Sequence, residues 1–94
     1  MIKKIYYKFR TKIITSILQK ALDKGLMRPR KIAMLLSLSE SNTLICKLCK
    51  KPVYNLQQAS CDHILPISKG GDKWNIKNFQ LAHKRCNFNK GNKI

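Results

Sequence analysis

The sequence predicts a small α+β domain stapled by a metal ion, with a basic α-helical arm ahead of it. Three observations predict this. Apolar residues recur at helical spacing over residues 2–22. Strand-length runs follow at 43–45, 60–64 and 79–82, separated by turn-forming residues. Two ligand pairs, Cys46-Lys47-Leu48-Cys49 and His83-Lys84-Arg85-Cys86, bracket the second half of the chain at the spacing of a metal knuckle. The expected division is a basic helical extension over 1–42 and a metal-stabilised domain over 43–94.

In the first helix, Ile2, Ile5, Tyr6, Phe9, Ile13, Ile17, Ala21 and Leu22 form the apolar face, and lysines fill much of the rest. Gly25 falls just past its end, where the left-handed closing conformation favours glycine. Pro29 suits the first turn of a second helix through about Leu38, because its missing N–H has no partner to lose there. Ile32, Ala33, Leu35 and Leu36 are its apolar positions, and residues 37–42 read as a polar linker. The strand at 43–45 leads into the first knuckle, and Lys50-Lys51-Pro52 turns the chain away. Between the second and third strands, residues 66–75 form a loop in which Gly70-Gly71 reach backbone angles that other residues resist. Residues 85–91 form a closing helix. Trp74 and Phe88 are expected in the core, since so small a domain has few other large apolar groups.

Ninety-four residues make a marginal core, for which a structural metal is a common remedy. Twenty basic residues against four acidic ones give a net charge of +16, the electrostatic footprint of a polyanion binder. DNA and RNA are the expected partners, with an anionic membrane as the rival; of these, double-stranded DNA is the partner carried forward. No run approaches the ~20 apolar residues of a spanning helix. Residues 2–22 alternate lysines with apolar positions, so a signal peptide is not expected. The expected location is cytoplasmic, or an organelle interior if the basic amino terminus is an address. The two helices also offer a surface for a protein partner.

Cys46, Cys49, His83 and Cys86 make a closed set of three thiolates and one imidazole, which favours structural Zn2+. Cys61 is a further thiol that competes with His83 for the fourth position; the favoured reading keeps Cys61 as a small buried group.

Asp62-His63-Ile64, then Pro66, Gly70-Gly71, Asn78-Phe79-Gln80-Leu81-Ala82-His83, and Cys86-Asn87 with Lys90-Gly91 resemble the HNH nuclease motif, in its zinc-containing branch. The resemblance covers roughly residues 44–93. It implies the ββα-metal (His-Me finger) fold, two short antiparallel strands and a helix around one divalent ion. It further implies His63 as general base, Asp62 as a ligand of the catalytic ion, and Asn78 as the residue that holds the loop and orients the base. Asn87 stands where the family's last histidine usually ligates, giving the HNN form, and 5′-phosphate and 3′-hydroxyl products are implied.

The chemistry agrees with that assignment. Histidine suits proton abstraction near neutral pH. A carboxylate and an amide oxygen suit Mg2+ or Mn2+. Lys69, Lys73, Lys84, Arg85, Lys90 and Lys93 are candidate phosphate contacts. The function expected is metal-dependent endonuclease cleavage of DNA. The alternatives are a non-catalytic zinc module that binds nucleic acid, or an accessory subunit of a phage or mobile-element nuclease complex.

Overall fold

Helix α1 spans Ile2–Asp23 and α2 spans Pro29–Ser41 in the computed structural model, which describes residues 2–93 and side chains from residue 12 onward. Between them, Gly25 at φ 71° closes α1: its N–H donates to Leu22 O, and Leu26 N–H reaches back to Ala21 O. The described core face of α1 is Leu18, with Ile14 and Leu22 beside it. Ile13 and Ile17, expected on that face, are exposed. Two apolar stripes lie side by side on this helix, and periodicity alone does not say which one turns inward. Ile2, Ile5, Tyr6 and Phe9 lie outside the described side chains.

Helix α2 starts at Pro29 and runs three residues beyond the expected Leu38, to Ser41, with Asn42 closing it in the left-handed region. The expected linker at 37–42 is therefore mostly helix. Ser37 and Ser39 are buried there because their hydroxyls find partners. Ser37 Oγ donates to Thr43 O and accepts from Ile45 N–H, and Ser39 Oγ donates to Leu36 O. The expected strand at 43–45 reduces to a single bridge between Ile45 and Pro52.

Strands β1 (Ala59–His63) and β2 (Phe79–His83) pair antiparallel, with Ala59 opposite His83, Asp62 opposite Gln80 and His63 opposite Phe79. Helix α3 (Lys84–Lys90) follows β2 directly. This is the expected α+β arrangement of a two-stranded sheet and a closing helix. The register places the two histidines at opposite ends of the hairpin, roughly 14 Å apart along the strands at ~3.4 Å per residue.

Two apolar clusters hold the sheet. Ala33 of α2 joins Cys46, Val53, Ala59, Leu81 and Ala82; Ile32 and Leu36 of α2 join Leu18, Ile76 and Phe79. Each fully buried side chain such as Ile32 or Leu81 contributes about 1.5–3 kcal/mol. Helix α2 thus shares its core with the strands. Gln19 fixes α1 to the same body, donating to Trp74 O at 2.9 Å and accepting from Ile76 N–H at 2.9 Å. Trp74 and Phe88, expected inside, are 54% and 85% exposed. Isoleucines, leucines and cysteines fill the space those rings were expected to fill.

Candidate metal centre and active site

The first knuckle is a tight turn. Cys46 N–H donates to Lys51 O, Lys50 N–H returns to Cys46 O, and Lys50 takes a positive φ of 66°. Lys47 N–H donates to Leu81 O at 2.8 Å, which lays the turn against β2. There the end of β2 and the first turn of α3 supply His83 and Cys86. The ligand atoms of Cys46, Cys49, His83 and Cys86 all lie within 4.8 Å of one another. Ligands of a tetrahedral Zn2+ with ~2.3 Å bonds to sulfur stand roughly 3.8 Å apart, so the set fits that ion. Cys61 is outside this group.

Local electrostatics differ between the Cys46 and Cys86 sulfurs. Burial raises the Cys46 pKa, but N–H donors from Cys49, His83 and Leu48 outweigh it and lower the thiol to about 6. Cys86 moves the other way, to about 11, through burial and its contacts with the Cys49 and Cys46 sulfurs. His83 Nδ1 faces the cluster, 3.3 Å from Cys49 Sγ, while Nε2 lies 3.2 Å from Pro52 O. A carbonyl only accepts, so Nε2 carries the ring proton and Nδ1 is left as the ligand atom.

At the other end of β1, Asp62, His63 and Asn87 line one cavity of about 240 Å³, together with Cys61, Pro66, Ile67, Ser68, Gly91 and Asn92. The alternation of the strand separates the acid from the imidazole. Asp62 turns inward and is buried, and His63 is half-buried with its ring edge-on to Phe79 at 5.4 Å. His63 Nε2 lies 3.1 Å from Lys73 O. The same reasoning assigns the proton to Nε2 and leaves Nδ1 as the acceptor of the neutral ring.

The loop carrying Lys73 is held by Asn78. Its Oδ1 accepts from Leu65 N–H at 2.8 Å, and its Nδ2 donates to Leu65 O and Asp72 O. Asn78 thus braces the loop, while the carbonyl that fixes the ring comes from Lys73. Gly70 is needed there for its φ of 92°. Gly71 is needed because a Cβ at that position would fall on the Leu65 carbonyl. Asn87 Nδ2 donates to Cys61 O and Ser60 Oγ, which leaves Oδ1 as the atom available to a cation. Cys61, expected as a small buried group, is partly buried: it packs against both apolar clusters and also borders the cavity. Burial and the neighbouring Asp62 carboxylate raise it to about 12.

The model of the HNH endonuclease family matches residues 46–93, just over half of the chain. The chain belongs to the HNH endonuclease family. No curated protein and no solved structure gives a match to it. Membership in this family points to a nuclease or nucleic-acid-binding function, and the cysteine and histidine cluster accords with its zinc-containing branch. Among the described residues, no helix is long and apolar enough to cross a membrane.

Lys69, Lys73, Lys84, Arg85 and Lys93 are exposed; Lys69 and Lys93 adjoin residues that line the cavity, while Lys84 and Arg85 open α3 beside the His83 end of the sheet. Lys90, expected among these phosphate contacts, is instead turned inward. Its Nζ lies 2.8 and 3.1 Å from the two Asp62 oxygens and 2.8 Å from His63 O. The lysine count could not reveal this, although the three-residue step from Asn87 to Lys90 places both on the strand-facing side of α3. Gln80, opposite Asp62, donates to Oδ2 at 2.7 Å, a contact that no local pattern in the sequence signals. A larger groove of about 670 Å³ between α1 and the segment before β2 is lined by Lys12, Lys20 and Lys77 among others. It has no acid or imidazole in its described lining, so the smaller cavity is the candidate active site.

Proposed function

We propose that this HNH protein is a divalent-metal-dependent endonuclease that hydrolyses phosphodiester bonds of double-stranded DNA. One observation carries the reading: an imidazole with its proton fixed on Nε2 shares a cavity with a buried carboxylate and an amide oxygen. The donors fit Mg2+ or Mn2+, because both are hard oxygens and the Asp62 carboxylate already holds a cation in Lys90. Asp62 and Asn87 would hold that ion, which when bound supplies charge stabilisation for the phosphate and the leaving 3′ oxygen. His63 takes the proton of the attacking water at Nδ1. Asn78 keeps the loop, and so the Lys73 carbonyl, in place behind the ring. The four-ligand cluster of Cys46, Cys49, His83 and Cys86 would hold Zn2+ as a structural ion.

Lys69, Lys73, Lys84, Arg85 and Lys93 contact phosphates as a group. Phe88 shares the outer face of α3 with Lys84 and Arg85 and offers an aromatic surface to the minor groove. In this reading residues 43–94 are the nuclease, and residues 1–42 are a basic extension that also lends α2 to its core.

A second reading has one observation in its favour. The ion pair of Asp62 with Lys90 satisfies the carboxylate without any metal, as a zinc module that only binds nucleic acid would require. Supercoiled plasmid separates the two. Zinc-loaded protein with Mg2+ or Mn2+ is expected to nick or linearise it and leave ends that a ligase reseals. Tight, salt-sensitive binding with no cleavage across divalent ions would establish the second reading instead.

A further inference from the structure

We propose that Lys90 is the resident cation of the Asp62 site and sets the divalent-ion concentration at which that site fills. The inference rests on the reading that Asp62 and Asn87 hold such an ion. Lys90 Nζ lies 2.8 and 3.1 Å from the Asp62 oxygens, 2.8 Å from His63 O and 3.3 Å from Ile64 O. An ammonium has three protons, and this one has an acceptor for each. The Lys90 and Asp62 side chains are only 10% and 4% exposed, so water does little to screen the pair. Gln80 Nε2 occupies Asp62 Oδ2 as well, at 2.7 Å.

A surface lysine that strays toward an acid does not find four oxygens. This one is built in: α3 places it three residues after Asn87, on the side of the helix that faces the strand, and the strand end supplies two carbonyls. In this proposal a divalent ion displaces the ammonium from Asp62, because two cations packed on one buried carboxylate repel each other. The observed affinity is then the intrinsic affinity reduced to the fraction of molecules in which Lys90 has swung away. The barrier to filling is therefore a side chain of this chain.

The test uses zinc-loaded full-length protein and two readouts besides cleavage. In NMR of lysine ammonium groups, wild type is expected to show one slowly exchanging signal, lost as Mg2+ is titrated in. A signal that persists at saturating Mg2+ overturns the proposal, and this arm needs no variant. In calorimetry, Lys90→Met is expected to bind Mg2+ at least about tenfold more tightly than wild type, since an ammonium engaged ~90% of the time imposes that factor. Asp62→Asn is expected to abolish binding in either background. Unchanged or weaker binding by Lys90→Met, with Asp62→Asn still abolishing it, overturns the role of Lys90 and leaves the ion site standing. No Mg2+ or Mn2+ binding by wild type or Lys90→Met removes the ion site and this proposal together.

Discussion

The two histidines of this chain are held in the same way and face different chemistry. Each presents Nε2 to a backbone carbonyl, His83 to Pro52 O at 3.2 Å and His63 to Lys73 O at 3.1 Å. Each therefore keeps Nδ1 free of the proton. Around His83 the free nitrogen meets three sulfurs in a closed cluster. Around His63 the ring lines a cavity beside a carboxylate and an amide. One backbone device thus frees the same nitrogen in both places, for the proposed zinc ligand at His83 and for the proposed base at His63. What differs is the company each ring keeps, soft donors packed to completion against hard donors left partly open.

The comparison predicts unequal responses to damage. Removing zinc with a chelator, or Cys46→Ala, strikes the closed end. A structural zinc contributes on the order of 10 kcal/mol to folding in small domains, so the β1–β2–α3 unit is expected to lose cooperative unfolding. Calorimetric melting with parallel metal analysis checks this; an unchanged melt after complete zinc loss would break the distinction between the two ends. Asn78→Ala strikes the open end more gently. It removes one acceptor and two donor contacts of the loop, and the expected cost is about 1–3 kcal/mol. Zinc content should stay unchanged in that variant while cleavage falls. Zinc loss on this substitution would show that the two ends are not independent.

The smallest effect concerns Cys61, which lies between the two ends. Raised from 9.0 to about 12, its thiol holds its proton more tightly in the folded chain than in the unfolded one. Its contribution to stability is therefore whole below pH 9 and is lost as pH rises toward 12. At pH 8 Cys61 is expected to resist iodoacetamide in the folded, zinc-loaded protein, as read by mass spectrometry. Alkylation at the rate of a free thiol would contradict its packing as a neutral group against the two clusters.

Most of the candidate site could be read in the sequence because its residues sit close together at fixed offsets. Both metal-knuckle pairs, the Asp62-His63 step and the paired glycines are local patterns, and local patterns survive without knowledge of the fold. Partners supplied from a distance were not legible. Nothing near Asp62 in sequence points to Lys90 or Gln80, and nothing near His63 points to the Lys73 carbonyl. The exposure of Trp74 and Phe88 is illegible for the same reason: ring size suggests burial, but only the packed clusters reveal that smaller side chains have filled the core. Ser37 and Ser39 of α2 read as a linker because their satisfaction is not visible in composition: Ser37 depends on Thr43 and Ile45 beyond the helix end, and Ser39 on the Leu36 carbonyl one turn back.

Cleavage of supercoiled plasmid by wild type and His63→Ala, side by side at equal zinc content and equal melting temperature, tests the central claim most directly. Loss of the base is expected to slow the Mg2+-dependent rate by about 10²–10⁴-fold. Equal rates for the two proteins would contradict the assignment of His63, and with it the reading of this cavity as the place where the phosphodiester is broken.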